Sequence, residues 1–410
     1  MSPKAQSENT AQNPQPSPAE DTHFVNAIRL GLRHWLIAGA VTLTILLLTP
    51  LIWKRIERFD TGADYRIPYN LSKDYWLYER HLDRSSPTNV FVVGDSVVWG
   101  EYVRPDGTFS HFLNQHASQP SRFVNAGVNG LFPLALEGLV QHDGTAIRNA
   151  KVILHCNVLW MSSPKADLQT TKEERFNHAG LVPQFTPRIP CYKSDLNQRL
   201  VAVLERQLTF LKWASHLQIA YFDQKNVLAW TLEEDGTEPP RFPNAYKDPL
   251  SQITLHVPAE PETDPERGPD SPRHRPWSTT GKGSTRFDWV KPDTSLQWAA
   301  FQRLVQLLQD RNNEVLVVVG PFNVHLLAED NQPRLREWIH TVETWLSEQS
   351  IPHVVPGTLP SLLYADASHP LTEGYQQMAT EVWNDPVFAQ WLNGSPNPPG
   401  NPQTAALSKE

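Results

Sequence analysis

Apolar residues along this chain fall into runs of two lengths. The longest, Trp35 to Trp53, encloses an uncharged stretch just long enough to cross a hydrocarbon core of roughly 30 Å. A tryptophan sits at either end, where interfacial aromatics sit. The run lacks the polar face of a buried core helix. It starts late and is followed by Lys54-Arg55 in place of a small-residue cleavage site, unlike a removable leader. The pattern predicts one transmembrane helix over 32–54. Shorter apolar runs at Asn89–Val93, Arg122–Asn125, Lys151–Cys156, Glu314–Val319 and Pro352–Val355 read as strands. Helical periodicity fills the gaps at Phe109–Gln115, Pro133–His142, Ser295–Asp310 and Arg334–Glu348, with a last helix beginning near Thr372. Strands alternating with helices at this spacing predict an α/β body. Its central parallel sheet of about five strands would be covered on both faces, a three-layer, flavodoxin-like winding.

The alternation is interrupted from about Leu159 to Asp288. One helix is expected there, Asp195 to Phe222, among the proline-rich stretches Glu238-Pro239-Pro240 and Pro258 to Pro276. The latter reads as a mobile loop, and the whole region, about 160–290, as an insertion. The resulting division is a polar tail and basic lead-in at 1–31, the membrane helix, an aromatic-rich connector at 55–88 that packs on the body, the body at 89–392 and a second tail at 393–410. No internal repeat stands out.

Composition narrows the function classes. Among 410 residues, 36 prolines against 20 glycines fit long irregular segments around a core. A net charge of −8, with no basic stripe, gives no case for nucleic acid. Two cysteines, Cys156 and Cys191, form neither a disulfide framework nor a metal pattern. No cofactor is implied. Arg29 and Arg33 precede the apolar span while Lys54, Arg55 and Arg58 follow it, a bias toward a cytoplasmic body.

Chemistry is suggested at two distant points. Gly94-Asp95-Ser96-Val97-Val98-Trp99-Gly100 directly follows the first strand, placing Ser96 on a strand-to-helix turn at the carboxyl edge of the sheet. There Gly94 can relax the turn and Gly100 can let the next helix pack closely. A serine hydroxyl needs a base within hydrogen-bond reach. Far downstream, Asp366-Ala367-Ser368-His369-Pro370 supplies one: a histidine with a carboxylate three residues earlier to fix its tautomer. Other fragments fall short. Gly281-Lys282-Gly283-Ser284-Thr285 lacks the spacing of a phosphate loop, and His155-Cys156 has no further ligands at metal spacing.

The blocks Gly94-Asp95-Ser96-x-x-x-Gly100 and Asp366-x-x-His369-Pro370 resemble the first and last blocks of the SGNH (GDSL-like) hydrolases. Asn125-Ala126-Gly127-Val128-Asn129-Gly130 is similar to the second. His155-Cys156-Asn157-Val158 stands where the third normally reads Gly-x-Asn-Asp, and keeps only the asparagine. The resemblance covers roughly 88–160 and 295–392. It implies a Ser96–His369–Asp366 triad, with an oxyanion hole from the Ser96 and Gly130 N–H groups and the Asn157 amide. It also implies a membrane-anchored esterase or O-acyltransferase acting on acyl, commonly acetyl, esters of envelope polysaccharides, with the body on the extracytoplasmic side. The altered third block leaves a second reading open, a non-catalytic scaffold or glycan-binding protein of the same fold. Trp160, Trp213, Trp230, Trp277 and Trp289 are either core residues or stacking surfaces for sugars.

Overall fold

A computed structural model describes residues 31–59, 61–62, 64–86, 88–117, 119–174, 176–233, 247–257, 273–279 and 283–394. Nearly all of both expected tails lies outside this set, as do Glu238-Pro239-Pro240, Pro258 to Pro272 of the expected mobile loop, and Gly281-Lys282. The chain divides into two units, Met1–Thr49 and Pro50–Glu410. In the first, the described residues are almost all those of α1, whose full span is Leu32–Ile56. That helix of 25 residues has a mean hydropathy of 2.2 over its most apolar window and only 6% of that window buried. It is long and apolar enough to cross a membrane, and Lys54 and Arg55 complement the negative end of its dipole.

The second unit is an α/β body. Its elements in order are α2 (Tyr75–Asp83), β1 (Val90–Gly94), α3 (Ser96–Trp99), α4 (Phe109–Ala117), β2 (Phe123–Gly127), α5 (Pro133–His142) and β3 (Lys151–Cys156). The interrupting region holds α6 (Leu196–Gln207), α7 (Thr209–Tyr221), α8 (Val227–Thr231) and α9 (Pro249–Gln252). Then come α10 (Leu296–Asp310), β4 (Glu314–Val319), α11 (Gln332–Glu348), β5 (His353–Val354), α12 (Thr372–Asn384) and α13 (Pro386–Asn393). The five strands run in the order β2-β1-β3-β4-β5, every pair parallel. This is the flavodoxin-like order, in which the chain reverses direction between β1 and β3 and leaves a crevice at their carboxyl ends.

Strand periodicity sorts the core into two faces. Phe91, Val93, Val152, Leu154, Val315 and Val317 point to one side, against α5, α10 and α11. Val90, Val92, Ile153, Leu316 and Val318 point to the other, against α3, α4, α12 and α13. Each strand is therefore apolar on both faces, as a sheet between two helical layers must be. Burying one such side chain contributes about 1.5–3 kcal/mol.

The residues read as a connector pack on the body: Trp76, Leu77 and Tyr78 of α2 are fully buried. Tyr78 donates to Ala126 O at 3.2 Å and His81 bonds Asn125 O at 3.0 Å, so α2 is fastened to β2. The single helix expected at 195–222 is two helices, broken at Leu208 (φ −108°, ψ 105°). A hydrophobic period survives one extended residue, so the pattern hides the break.

Beneath α7 lies a buried charged cluster. His216 Nδ1 meets Asp74 Oδ2 at 2.6 Å and its Nε2 meets Glu57 Oε1 at 2.7 Å. Tyr221 also donates to Glu57 at 2.7 Å, and Arg80 pairs with the same carboxylate. Burial pulls the His216 imidazole down in pKa, but Asp74 and Glu57 outweigh it and hold it up at about 9.

Candidate active site

Ser96 is the first residue of α3, and Asp95 caps that helix by accepting from Val97 N at 2.9 Å. Both glycines flanking the motif stand where a Cβ would crowd its neighbours, and of the two only Gly100 takes a left-handed conformation. Gly94 stays outside the left-handed region and is needed for space, since a Cβ there would lie 2.5 Å from Val98 Cγ2 and 2.8 Å from His155 Cβ. Gly100 is the one that turns the chain, ending α3 at φ +90°. Arg66, itself buried, fixes that turn by donating to the carbonyls of Trp99, Gly100 and Val103 at 2.7–2.8 Å. Tyr375 of α12 donates to Val97 O at 2.7 Å, so α3 is held from both flanks.

Asp366 and His369 lie on the loop between β5 and α12 and meet Ser96 from 273 residues away. His369 Nε2 is 2.8 Å from Ser96 Oγ, and its Nδ1 is 2.8 Å from both Asp366 carboxylate oxygens. A carboxylate only accepts, so Nδ1 carries a proton, and in the neutral ring Nε2 is left to accept from the serine hydroxyl. The loop is stiff: Asp366 Oδ1 also accepts from the N–H groups of Ser368 and His369 at 3.0 Å. Asn323 Nδ2 donates to Asp366 O at 2.9 Å, and Tyr102 OH donates to Asp366 Oδ2 at 3.1 Å. Burial raises the Asp366 carboxyl in pKa, but His369 and the two N–H donors more than reverse that and hold it well below the usual range. For His369, burial pushes the pKa down; Asp366, with Asp95 and Glu101 farther off, outweighs it and raises the imidazole to about 9.

The three expected oxyanion donors come from the ends of β1, β2 and β3. Gly94 and Gly127 are in register, and Val128 N donates to Gly94 O at 3.3 Å, so the chains leaving β1 and β2 run side by side. Gly130 has φ +75°, and a Cβ there would fall 2.0 Å from Asn177 Nδ2. Among the described residues, neither the Ser96 N–H nor the Gly130 N–H meets a protein acceptor. Asn157 is buried, its Oδ1 accepting from Leu159 N at 3.0 Å and its Nδ2 donating to Asp95 Oδ2 at 3.3 Å. One amide hydrogen of Asn157 therefore remains for another acceptor.

Asp95 is the hub beneath this arrangement. Besides capping α3 and receiving Asn157, it accepts from Trp160 Nε1 at 3.0 Å. His155 Nδ1 stands 3.1 Å from Asp95 Oδ1, off the line of a good hydrogen bond, while its Nε2 bonds Gly320 O at 3.0 Å. Burial raises the Asp95 carboxyl in pKa, and His155 first, then His369 and Val97 N–H, bring it below its ordinary value. Trp160 is thus committed to this network and Trp230 to a small cluster with Tyr221 and Phe222, so neither offers a face to a sugar. Cys156 is buried and its thiol is pushed up in pKa by burial, which suits a core residue and not a nucleophile.

Several residues around the site carry no local signal. Tyr102, Asn323, Arg66 and Asn177 sit in no motif and reach the site only through the fold. His155 and Trp160 flank Asn157 in sequence, yet only the pairing of β1 with β3 brings them to Asp95. Among the described residues no group of three or more His, Cys, Asp or Glu side chains is placed to hold a metal ion. Compared with known proteins, the chain matches no family model and no curated sequence.

Proposed function

We propose that this protein is a membrane-anchored serine esterase or O-acyltransferase of the SGNH kind, with Ser96 as nucleophile, His369 as general base and Asp366 as its orienting carboxylate. One observation carries the reading: Ser96 Oγ, His369 Nε2 and Nδ1, and Asp366 stand in a continuous hydrogen-bonded line with links of 2.8 Å. Chance rarely closes such a line between segments so far apart in sequence.

The reaction follows from these atoms. His369 Nε2 takes the hydroxyl proton as Ser96 Oγ bonds to the ester carbonyl carbon. The carbonyl oxygen becomes an oxyanion, held by the N–H groups of Ser96 and Gly130 and by Asn157 Nδ2. Removing one such donor typically costs about 10²–10³ in rate. The imidazolium then protonates the departing alkoxide, leaving an acyl group on Ser96. Water or a sugar hydroxyl, deprotonated by the same imidazole, releases it. The first acceptor makes the protein a hydrolase and the second a transferase. The resemblance supplies the substrate class, acyl esters such as acetyl on an envelope polysaccharide, and an extracytoplasmic body.

A fluorophosphonate probe tests this directly, because it phosphonylates only an activated serine. The wild type should label and Ser96→Ala should not. Equal labelling of the two would sink the assignment. Absence of labelling in both would favour the scaffold reading, which the departure from Gly-x-Asn-Asp at 155–158 supports.

A further inference from the structure

On the face of the sheet that carries α5 and α10, a cavity of about 390 Å³ opens beside Gly130. One wall is α5 with Leu134 and Ala135; the facing wall is the start of the interrupting region, with Leu168, Phe176 and Val182. Its lining is mostly apolar, and the buried or half-buried polar side chains around it are already engaged. Gln297 Oε1 accepts from Leu134 N at 3.0 Å and its Nε2 donates to Ala166 O at 3.3 Å. His178 Nε2 donates to Asn129 O at 2.8 Å and its Nδ1 accepts from Tyr75 OH at 3.0 Å. Burial lowers His178 in pKa to about 4, so it adds no charge at neutral pH. Glu174 pairs with the exposed Lys165 at 3.4 Å.

This lining discriminates between ligands. The polar side chains that are still accessible, Lys165 and Asn177, are exposed ones; a sugar pressed deeper, against Leu134, Leu168 and Val182, would bury hydroxyls without partners, at about 1–3 kcal/mol for each unpaired group. A hydrocarbon chain needs no partners and gains from burial. The volume lies within the roughly 300–1,000 Å³ of small-molecule pockets. An acetyl methyl would leave most of it without contacting atoms and forfeit that dispersion energy. Gly130 belongs both to this wall and to the expected oxyanion hole, so a carbonyl held there can direct its chain into the cavity.

We propose that the cavity beside Gly130 receives the hydrocarbon chain of a medium-length acyl group, longer than acetyl, whose ester carbonyl is attacked by Ser96. The inference rests on the reading of Ser96 as nucleophile, and it gives Leu168, Phe176 and Val182 of the interrupting region a role in closing the acyl site over α5.

The test uses the full chain in lipid nanodiscs, with p-nitrophenyl acetate and p-nitrophenyl octanoate as substrates. The octanoyl-to-acetyl ratio of kcat/KM should exceed one in the wild type. It should fall by about tenfold or more in Ala135→Phe, which fills the cavity from α5, and in Ala166→Phe, which fills it from the facing wall. A second readout needs no turnover. Millimolar octanoate, but not acetate, should raise the melting temperature of the Ser96→Ala chain, and adding Ala135→Phe should remove the rise. A wild type that prefers acetate, with no stabilisation by octanoate, overturns the acyl site. Stabilisation by octanoate without hydrolysis of either ester instead sinks the esterase reading and leaves a hydrocarbon-binding cavity.

Discussion

An imidazole that faces a carboxylate holds its proton tightly, and at His369 this sets the expected pH behaviour. General base catalysis needs the neutral ring, and the raised value of about 9 means that most molecules carry imidazolium at neutral pH. The kcat/KM for an acetyl ester should therefore climb roughly tenfold per pH unit through the neutral range and level off near pH 9. Asp366→Asn should shift the rise toward lower pH and depress the plateau, since the tautomer is no longer fixed. A pH–rate profile that is flat from 6 to 9 would contradict the charge balance described for this histidine. Stability runs the opposite way. A histidine whose folded pKa is raised contributes stability that is complete below its unfolded value of about 6.5. That contribution is lost as pH rises through about 9. Ser96→Ala and His369→Ala should each remove most activity, and the double variant should be little worse, because the pair works as a unit. If Asn157 serves the proposed oxyanion hole, Asn157→Ala should lower kcat more than it raises KM, since such a donor acts on charge that develops only in the transition state. Ser96, Asp366 and His369, which the fold brings into one hydrogen-bonded line, were legible in the sequence because each sits in a short block, the first at the end of β1 and the other two just before α12. Tyr102 and Asn323 were not, because a hydrogen bond to Asp366 from another loop leaves no local pattern.

At the scale of elements, the pattern of apolar positions located every strand, since continuous apolar runs bounded by polar residues are hard to place elsewhere in an α/β body. It did not show how α2 is fastened to the body, because that rests on buried charges at and around the helix: Arg80 pairs with Glu57, and the N-cap Asp74 with His216. Such pairing depends on α7, more than a hundred residues away, so no window of sequence contains it. The cluster carries its own prediction. His216→Ala leaves Asp74 and Glu57 buried without their shared cation, and breaking a buried pair in this way costs about 3–5 kcal/mol. Chemical denaturation of the wild type and variant at pH 6 should show that difference. It should shrink as pH rises through about 9, where His216 loses its proton and its raised pKa no longer stabilises the fold. A variant as stable as the wild type at pH 6 would mean that the cluster is only tolerated.

At the scale of the whole chain, the apolar helix and the body meet different requirements, and the boundary between them predicts where the chain can be cut. Residues of α1 from Trp35 to Thr49 are mostly apolar and largely exposed, as in a helix long and apolar enough to cross a membrane. Later residues belong to the body: Trp53 packs edge-on against Trp213 and Tyr221, and Glu57 is buried against His216 and Arg80. A chain beginning at Pro50 should leave the membrane fraction yet keep the melting temperature of the full-length protein. A chain beginning at Thr61 should also leave the membrane but melt markedly lower, having lost the carboxylate that His216 and Arg80 share. Equal stability of the two would place the boundary elsewhere. Which side the body occupies is a separate question. Two arginines before the span against three cations after it is a small difference, and large domains are translocated largely regardless of flanking charge. An extracytoplasmic body belongs to the proposed function and stands or falls with it. Protease added to intact cells should remove the body and leave a short fragment containing Trp35 to Trp53. Protection of the body until the membrane is opened would reverse the orientation and, with it, the assignment of an envelope polysaccharide as substrate.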